Sequence, residues 1–102
     1  MSNLPIIKKD YDRSVRISHF VSKVRDFAES NQQISDILFT PVIKGYEVTY
    51  KNKGVSERIS VNLKSRFFNG LIVKKYADGK LKGIFHLKEN EISTETINKI
   101  FA

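Results

Sequence analysis

The sequence predicts an α+β domain in which an N-terminal helix packs on a four-stranded antiparallel meander sheet, with a short C-terminal helix after the sheet. Three observations support this fold class. Apolar residues recur with a helical period near the start of the chain, and the period changes to two from residue 45 onward. Reverse-turn signals then separate short strand-like runs, as a meander requires.

The N-terminal helix is predicted over residues 14–29. Its apolar residues fall on one helix face, and its polar residues lie away from that face. Asp12 or Ser14 can cap its start, and the polar tract 30–33 ends it. We expect residues 1–102 to form a single domain, with residues 1–12 as a candidate flexible arm.

Two shorter elements complete the predicted fold. Residues 37–40 are a candidate short strand, and Pro41 restricts it to a sheet edge because proline cannot donate a ladder hydrogen bond. Near the end of the chain, Ser93 or Thr94 can cap a short helix. The small apolar face of that helix consists of Ile97, Ile100 and Phe101.

Three reverse turns set the predicted strand register, and a one-residue slip would move every side chain to the other face. They lie at Asn52-Lys53-Gly54, Asn69-Gly70 and Asp78-Gly79. Asn-Gly and Asp-Gly are typical of type I′ hairpin turns, which need positive φ at both central residues. The turns imply these pairs: Tyr46 with Val61, Val48 with Ile59, Leu63 with Tyr76, Phe67 with Ile72, Tyr76 with Leu81, and Ile72 with Phe85.

This register divides the sheet into an apolar face, which we expect the helices to cover, and a basic face. The apolar face contains Tyr46, Val48, Tyr50, Ile59, Val61, Leu63, Phe67, Ile72, Tyr76, Leu81, Phe85 and Leu87, with Glu57 and Lys74 as its charged members. The basic face contains Lys51, Arg58, Lys64, Arg66, Lys75, Lys82, His86 and Lys88, interleaved with Phe68, Leu71, Val73 and Ile84. On this face Lys75 would lie opposite Lys82, where like charges destabilise a sheet. A phosphate backbone would relieve that repulsion.

The positive charge of the chain is concentrated in one segment. The net charge is +7, and residues 44–88 contain eleven Lys/Arg against three acidic residues. Such asymmetry is typical of a protein with a polyanionic partner. A solvated surface that keeps a small protein in solution is the alternative explanation of the charge, but it does not explain the four apolar residues among the bases. Those four could instead line a dimer interface, or be covered by residues 1–10 and 34–43.

We therefore predict a small basic nucleic-acid-binding protein, regulatory or accessory, that grips the phosphates of DNA or RNA through one sheet face. Its expected nucleic-acid-binding residues are Lys51, Arg58, Lys64, Arg66, Phe68, Lys75, Lys82, His86 and Lys88. In this hypothesis Phe68 stacks on a base while the cations follow the backbone. A homodimer would extend the surface.

Two alternatives remain open. The basic face could dock an acidic surface of a host enzyme, which would make the chain an inhibitor or adaptor. A small ribonuclease that uses His86 with Arg58 or Arg66 is a more remote alternative, so we expect no enzymatic activity and no catalytic residues. The absence of cysteine and of histidine pairs at metal-ligand spacing predicts no metal site. No phosphate-binding loop is present, and we expect no cofactor.

The location is expected to be cytoplasmic, because the sequence shows neither a long apolar run nor the order of a secretory signal. The abundance of Lys, Ile, Asn and Phe is compatible with a phage or mobile element. In order of elements, residues 45–101 resemble the curved-sheet, single-strand-binding modules of the Pur-alpha type. A helix followed by a basic sheet is also similar to small ribonuclease toxins of the RelE kind. Both resemblances concern topology and involve no shared motif.

Overall fold

The computed structural model describes residues 8–43, 45–63 and 70–102, with side chains described for residues 15–43, 45–63, 70–88 and 90–102. Two helices and five strands make up this part of the chain. Their bounds are α1 Lys8–Ser30, β1 Ile34–Val42, β2 Gly45–Asn52, β3 Val55–Leu63, β4 Gly70–Ala77, β5 Lys80–Lys88 and α2 Thr94–Phe101, with a single 3₁₀ turn at Glu89–Glu91.

The strands form one antiparallel sheet in the order β1-β2-β3-β4-β5. The predicted α+β class and antiparallel meander are confirmed, and the sheet has one strand more than the four predicted. The fifth strand is β1, which extends the candidate strand at residues 37–40 in both directions and pairs with β2. Pro41 lies in this edge strand opposite Tyr46, so its missing N–H interrupts no central ladder.

Helix α1 covers one face of the sheet with the apolar stripe that the sequence predicts. Ile17, Phe20, Val21 and Val24 are buried in the core. The helix begins at Lys8 rather than at residue 14, so residues 8–12 of the candidate arm are helical. Residues 1–7 lie outside the described part of the chain.

Helix α2 packs on the same side of the sheet as α1. Ser93 is its N-cap, and the Ser93 hydroxyl accepts a hydrogen bond from the backbone N–H of Thr96 at 3.3 Å. The Phe101 ring stacks on Phe27 of α1, with ring centres 4.7 Å apart, and lies 5.1 Å from the Tyr50 ring of β2. The predicted cap and the predicted apolar face, Ile97, Ile100 and Phe101, are both confirmed.

The predicted register of the β2–β3 hairpin is confirmed. Val48 pairs with Ile59, and Tyr46 pairs with Val61. The turn residues Lys53 and Gly54 have φ values of 52° and 83°, which a type I′ turn requires. The whole hairpin therefore follows from local turn chemistry.

The predicted register between β3 and β4 is wrong. Leu63 pairs with Leu71 instead of Tyr76, and Gly70 belongs to β4 instead of a two-residue turn. Residues 64–69, which join the two strands, lie outside the described residues, and the predicted Phe67–Ile72 pair falls there. The new pairing turns β4 over: Leu71, Val73 and Lys75 are buried beside β3, whereas Ile72, Lys74, Tyr76 and the neighbouring Leu81 are not.

A β-bulge changes the last hairpin as well. Asp78 and Gly79 form the predicted turn, with φ values of 53° and 75°, and Tyr76 pairs with Leu81 as expected. Between Lys75 and Tyr76 the register then shifts, so that Lys75 pairs with Gly83. Lys75 and Lys82 therefore do not face each other, and the predicted repulsion between them is absent.

The bulge has a packing consequence for β5. Beyond it, Val73 pairs with Phe85 and Leu71 pairs with Leu87, so that apolar side chains of both strands meet under the helices. The predicted pair of Ile72 with Phe85 is wrong, because Ile72 lies opposite His86.

Candidate nucleic-acid interface

The candidate interface is the outer face of the sheet, by which we mean the face opposite α1 and α2. In the described ranges, both helices lie on the other side, where the core is. The outer face carries cationic, aromatic, apolar and acidic side chains. The cationic and aromatic ones are Lys51, Arg58, Lys74, Tyr76, His86 and Lys88, the apolar ones include Leu38, Ile72 and Ile84, and Glu47 is acidic.

Ion pairs balance the charges at the β2–β3 end of the outer face. The Arg58 guanidinium donates a hydrogen bond to Glu47 Oε1 at 3.2 Å, and Lys51 Nζ lies 3.7 Å from Asp36 Oδ2. Arg58 also lies over the Tyr76 ring, with its guanidinium carbon 4.4 Å from the ring centre. Such exposed pairs contribute only about 0–1 kcal/mol each to stability. They do orient the two cations.

Two lysines on β4 and β5 have no acidic partner among the residues that the structure describes. Lys74 is half-buried opposite Ser60 and Ile84, and Lys82 is exposed in the bulge. Neither lysine forms an ion pair with a residue that the structure describes. The outer-face positions of these two strands hold no acidic residue.

His86 and Lys88 continue this surface along β5. Both side chains are exposed, and their partners across the strand pair are Ile72 and Gly70. The Lys88 backbone N–H donates to Glu91 Oε1 at 2.8 Å, which fixes the end of the strand.

Lys75 does not belong to the outer face, and its predicted place there is wrong. Its side chain is only 10% exposed and points under the helices. Its ammonium lies 3.7 Å from Glu57 Oε1 and donates to the backbone oxygen of Ala102 at 3.2 Å. The pairing of Ile59 with Lys75 places the lysine on the core side, so Lys75 cannot reach a phosphate outside the sheet.

Lys75 is part of a buried polar cluster, which we define as Tyr50, Asn52, Glu57 and Lys75. Asn52 Nδ2 donates to Glu57 Oε1 and to the Phe101 carbonyl oxygen, both at 3.3 Å. Because Lys75 and Asn52 contact the last residues of the chain, the cluster holds the end of α2 against three strands.

The Tyr50 hydroxyl is the most perturbed group in this cluster. Burial raises the pKa of Tyr50 well above its ordinary value, and the nearby Glu57 carboxylate raises the pKa further. The hydroxyl oxygen is buried and has no hydrogen-bond partner among the described atoms. We therefore attribute the effect of Glu57 to its charge.

The nine predicted site residues fall into three groups. Lys51, Arg58, Lys82, His86 and Lys88 are exposed on the outer face or in its edge bulge, and Lys75 is buried on the other side. Lys64, Arg66 and Phe68 lie outside the described residues. Sequence reasoning missed Lys74 and Tyr76, which the reversal of β4 places on the outer face. No local signal in the sequence separates the two faces of β4, because both alternations of the run GLIVKKYA carry apolar residues and one lysine.

Other classes of site find little support in the described structure. No group of three or more His, Cys, Asp or Glu side chains there could hold a metal ion. No described helix is both long and apolar enough to cross a membrane. Comparison of the chain with protein-family models, with curated proteins and with solved structures found no match.

Proposed function

We propose that this chain is a small nucleic-acid-binding protein, regulatory or accessory, that holds DNA or RNA phosphates against the outer face of its sheet. One observation carries the proposal: both described helices leave this face open, and its β4–β5 half holds Lys74 and Lys82 without an acidic residue at the outer-face positions of these two strands. The net charge of +7 agrees with a polyanionic partner.

Phosphate binding by such a surface needs no sequence motif. Each lysine that neutralises a phosphate releases condensed counter-ions, and this release supplies most of the free energy of non-specific binding. His86 extends the surface along β5, the Tyr76 ring offers a flat contact for a base, and Ile72 offers an apolar contact for a sugar.

A second candidate function, docking to an acidic protein surface, is favoured by three exposed apolar side chains. Leu38, Leu81 and Ile84 are 61%, 49% and 48% exposed. Apolar groups beside cations suit a protein partner as well as a nucleic acid.

Salt-dependent binding of the double variant Lys74→Gln/Lys82→Gln tests the proposal. We expect wild type to bind short single- and double-stranded DNA and RNA in gel-shift titrations, with affinity falling steeply between about 50 and about 200 mM salt. Loss of two phosphate contacts should make the slope of log affinity against log salt shallower by about 1.8 for duplex and about 1.4 for single strands.

The matched control is Lys53→Gln/Lys99→Gln, which removes the same net charge from two exposed lysines, one in the β2–β3 turn and one on α2. We expect its slope to equal that of wild type. If both double variants reduce the slope of log affinity against log salt by the same amount, the net charge of the protein determines binding and the position of the lysines does not. The outer-face proposal would then fail. No binding of wild type to any nucleic acid at low salt would leave the acidic protein partner as the better hypothesis.

A further inference from the structure

A pocket opens on the outer face at the charge-balanced end of the sheet. Its volume is about 400 Å³, which lies within the range of small-molecule sites. Residues of four strands and of the β4–β5 turn line it, among them Thr49, Ser56, Arg58, Tyr76 and Asp78. The proposed phosphate contacts Lys74 and Lys82 do not line this pocket.

The charges of this pocket suit a neutral group better than a phosphate. Its two cations are already paired, Arg58 with Glu47 and Lys51 with Asp36. Three acidic residues line the pocket, and because Glu57 directs its carboxylate to Lys75 under the helices, Asp36 and Asp78 are the two whose carboxylates can meet a ligand. Carboxylates repel a phosphate, but they accept hydrogen bonds from the N–H groups on the edge of a base.

The pocket also offers a flat surface for stacking. The Arg58 guanidinium lies over the Tyr76 ring, and the bond from Glu47 holds its orientation. The Arg58 side chain is still 44% exposed, so a ligand can reach it from solvent. Unpaired bases stack on guanidinium planes and on aromatic rings in many single-strand complexes.

We infer that this pocket takes one unpaired base of a single-stranded nucleic acid, stacked on the Arg58–Tyr76 pair. Lys74 lies two residues before Tyr76 on the same face, about 7 Å away along the strand, where it can hold a phosphate next to that base. A duplex keeps its bases stacked inside and cannot fill the pocket. The inference rests on the proposed function and deepens it, because it names single strands as the preferred partner.

Charge-conserving and ring-conserving variants separate stacking from phosphate binding. Arg58→Lys keeps the charge and loses the plane, and Tyr76→Leu keeps an apolar group and loses the ring. Tyr76→Phe keeps the ring and serves as the control. In fluorescence anisotropy with labelled single strands, we expect Arg58→Lys and Tyr76→Leu each to weaken binding by about 5- to 150-fold, and Tyr76→Phe to bind like wild type.

The duplex form of the same oligonucleotide separates the two proposals. We expect wild type to prefer the single strand, and Arg58→Lys and Tyr76→Leu to weaken single-strand binding by a larger factor than duplex binding. If wild type binds both forms equally and Arg58→Lys and Tyr76→Leu change nothing, the base pocket is refuted while the phosphate-binding face stands. If wild type binds neither form, both proposals fail. Thermal melts of each variant show whether the variant is folded. The preference of wild type for the single strand over the duplex needs no variant, so a folding defect cannot affect that part of the test.

Discussion

Replacing Lys75 with methionine tests the buried ion pair on which the register of β4 depends. The change keeps an unbranched side chain of similar length and removes the ammonium. Glu57, whose side chain is only 13% exposed, then keeps the 3.3 Å hydrogen bond from Asn52 but loses its cation. The Ala102 oxygen loses a donor at the same time.

The expected cost follows from the burial of both partners. Removing one partner of a buried pair costs about 3–5 kcal/mol. Because Glu57 keeps the hydrogen bond from Asn52, we expect Lys75→Met to lower the free energy of unfolding by about 3 kcal/mol, the lower end of this range. For a domain of this size, that corresponds to a fall of roughly 12 °C or more in Tm. The double variant Lys75→Met/Glu57→Leu removes both charges and should lie within about 1 kcal/mol of wild type.

Urea unfolding followed by circular dichroism measures each corner of this double-mutant cycle. The matched control is Lys74→Met, one residue away on the outer face, which should change stability by less than about 0.5 kcal/mol. The turn-based register from the sequence requires the reverse, with Lys74 buried and Lys75 exposed. A larger loss for Lys74→Met than for Lys75→Met would refute the register, and a double variant as unstable as Lys75→Met would refute the pair.

Two further predictions concern Tyr50 and the cap of α2. Tyr50→Phe should leave stability at neutral pH within about 0.5 kcal/mol of wild type, because the lost hydroxyl is buried without a hydrogen bond. Since folding raises the pKa of Tyr50, the wild-type stability present below pH 10.0 is lost as the pH rises further, because the unfolded chain then ionises the hydroxyl that the folded chain keeps neutral; urea titrations should show a steeper alkaline decline for wild type than for Tyr50→Phe. Ser93→Ala should cost about 1 kcal/mol by loss of the bond to Thr96, whereas the exposed Thr94→Ala should cost less in the same thermal melts; equal losses would contradict the cap.

Elements that depend on neighbouring residues could be predicted from the sequence. The stripe of α1, with Phe20 and Val24 at its centre, follows from a helical period. The β2–β3 hairpin follows from the turn at Lys53-Gly54. Lys51 and Arg58 lie in this hairpin, which is why their exposure on the outer face was predicted correctly.

The face of β4 could not be predicted in the same way. In the run GLIVKKYA, both alternations carry apolar residues and one lysine, so the period of two does not choose between Leu71 and Ile72 for the core. The turn predicted at Asn69-Gly70 implied the wrong register between β3 and β4, because Leu63 pairs with Leu71 in the structure. The face of β4 that packs under the helices is determined by its tertiary contacts. Leu71 and Val73 pair with Leu87 and Phe85 of β5, and Lys75 supplies the cation for the buried Glu57 carboxylate.

The sequence by itself determined the fold class, both helices, two of the hairpin turns and the excess of positive charge. The tertiary structure decided which lysine of the pair Lys74 and Lys75 is buried, and which one is available to a partner. The physical reason is the separation along the sequence between the residues that determine each feature. Turns and helix caps depend on a few adjacent residues, whereas strand register across a bulge or a longer connection depends on side chains that meet only after the sheet has assembled.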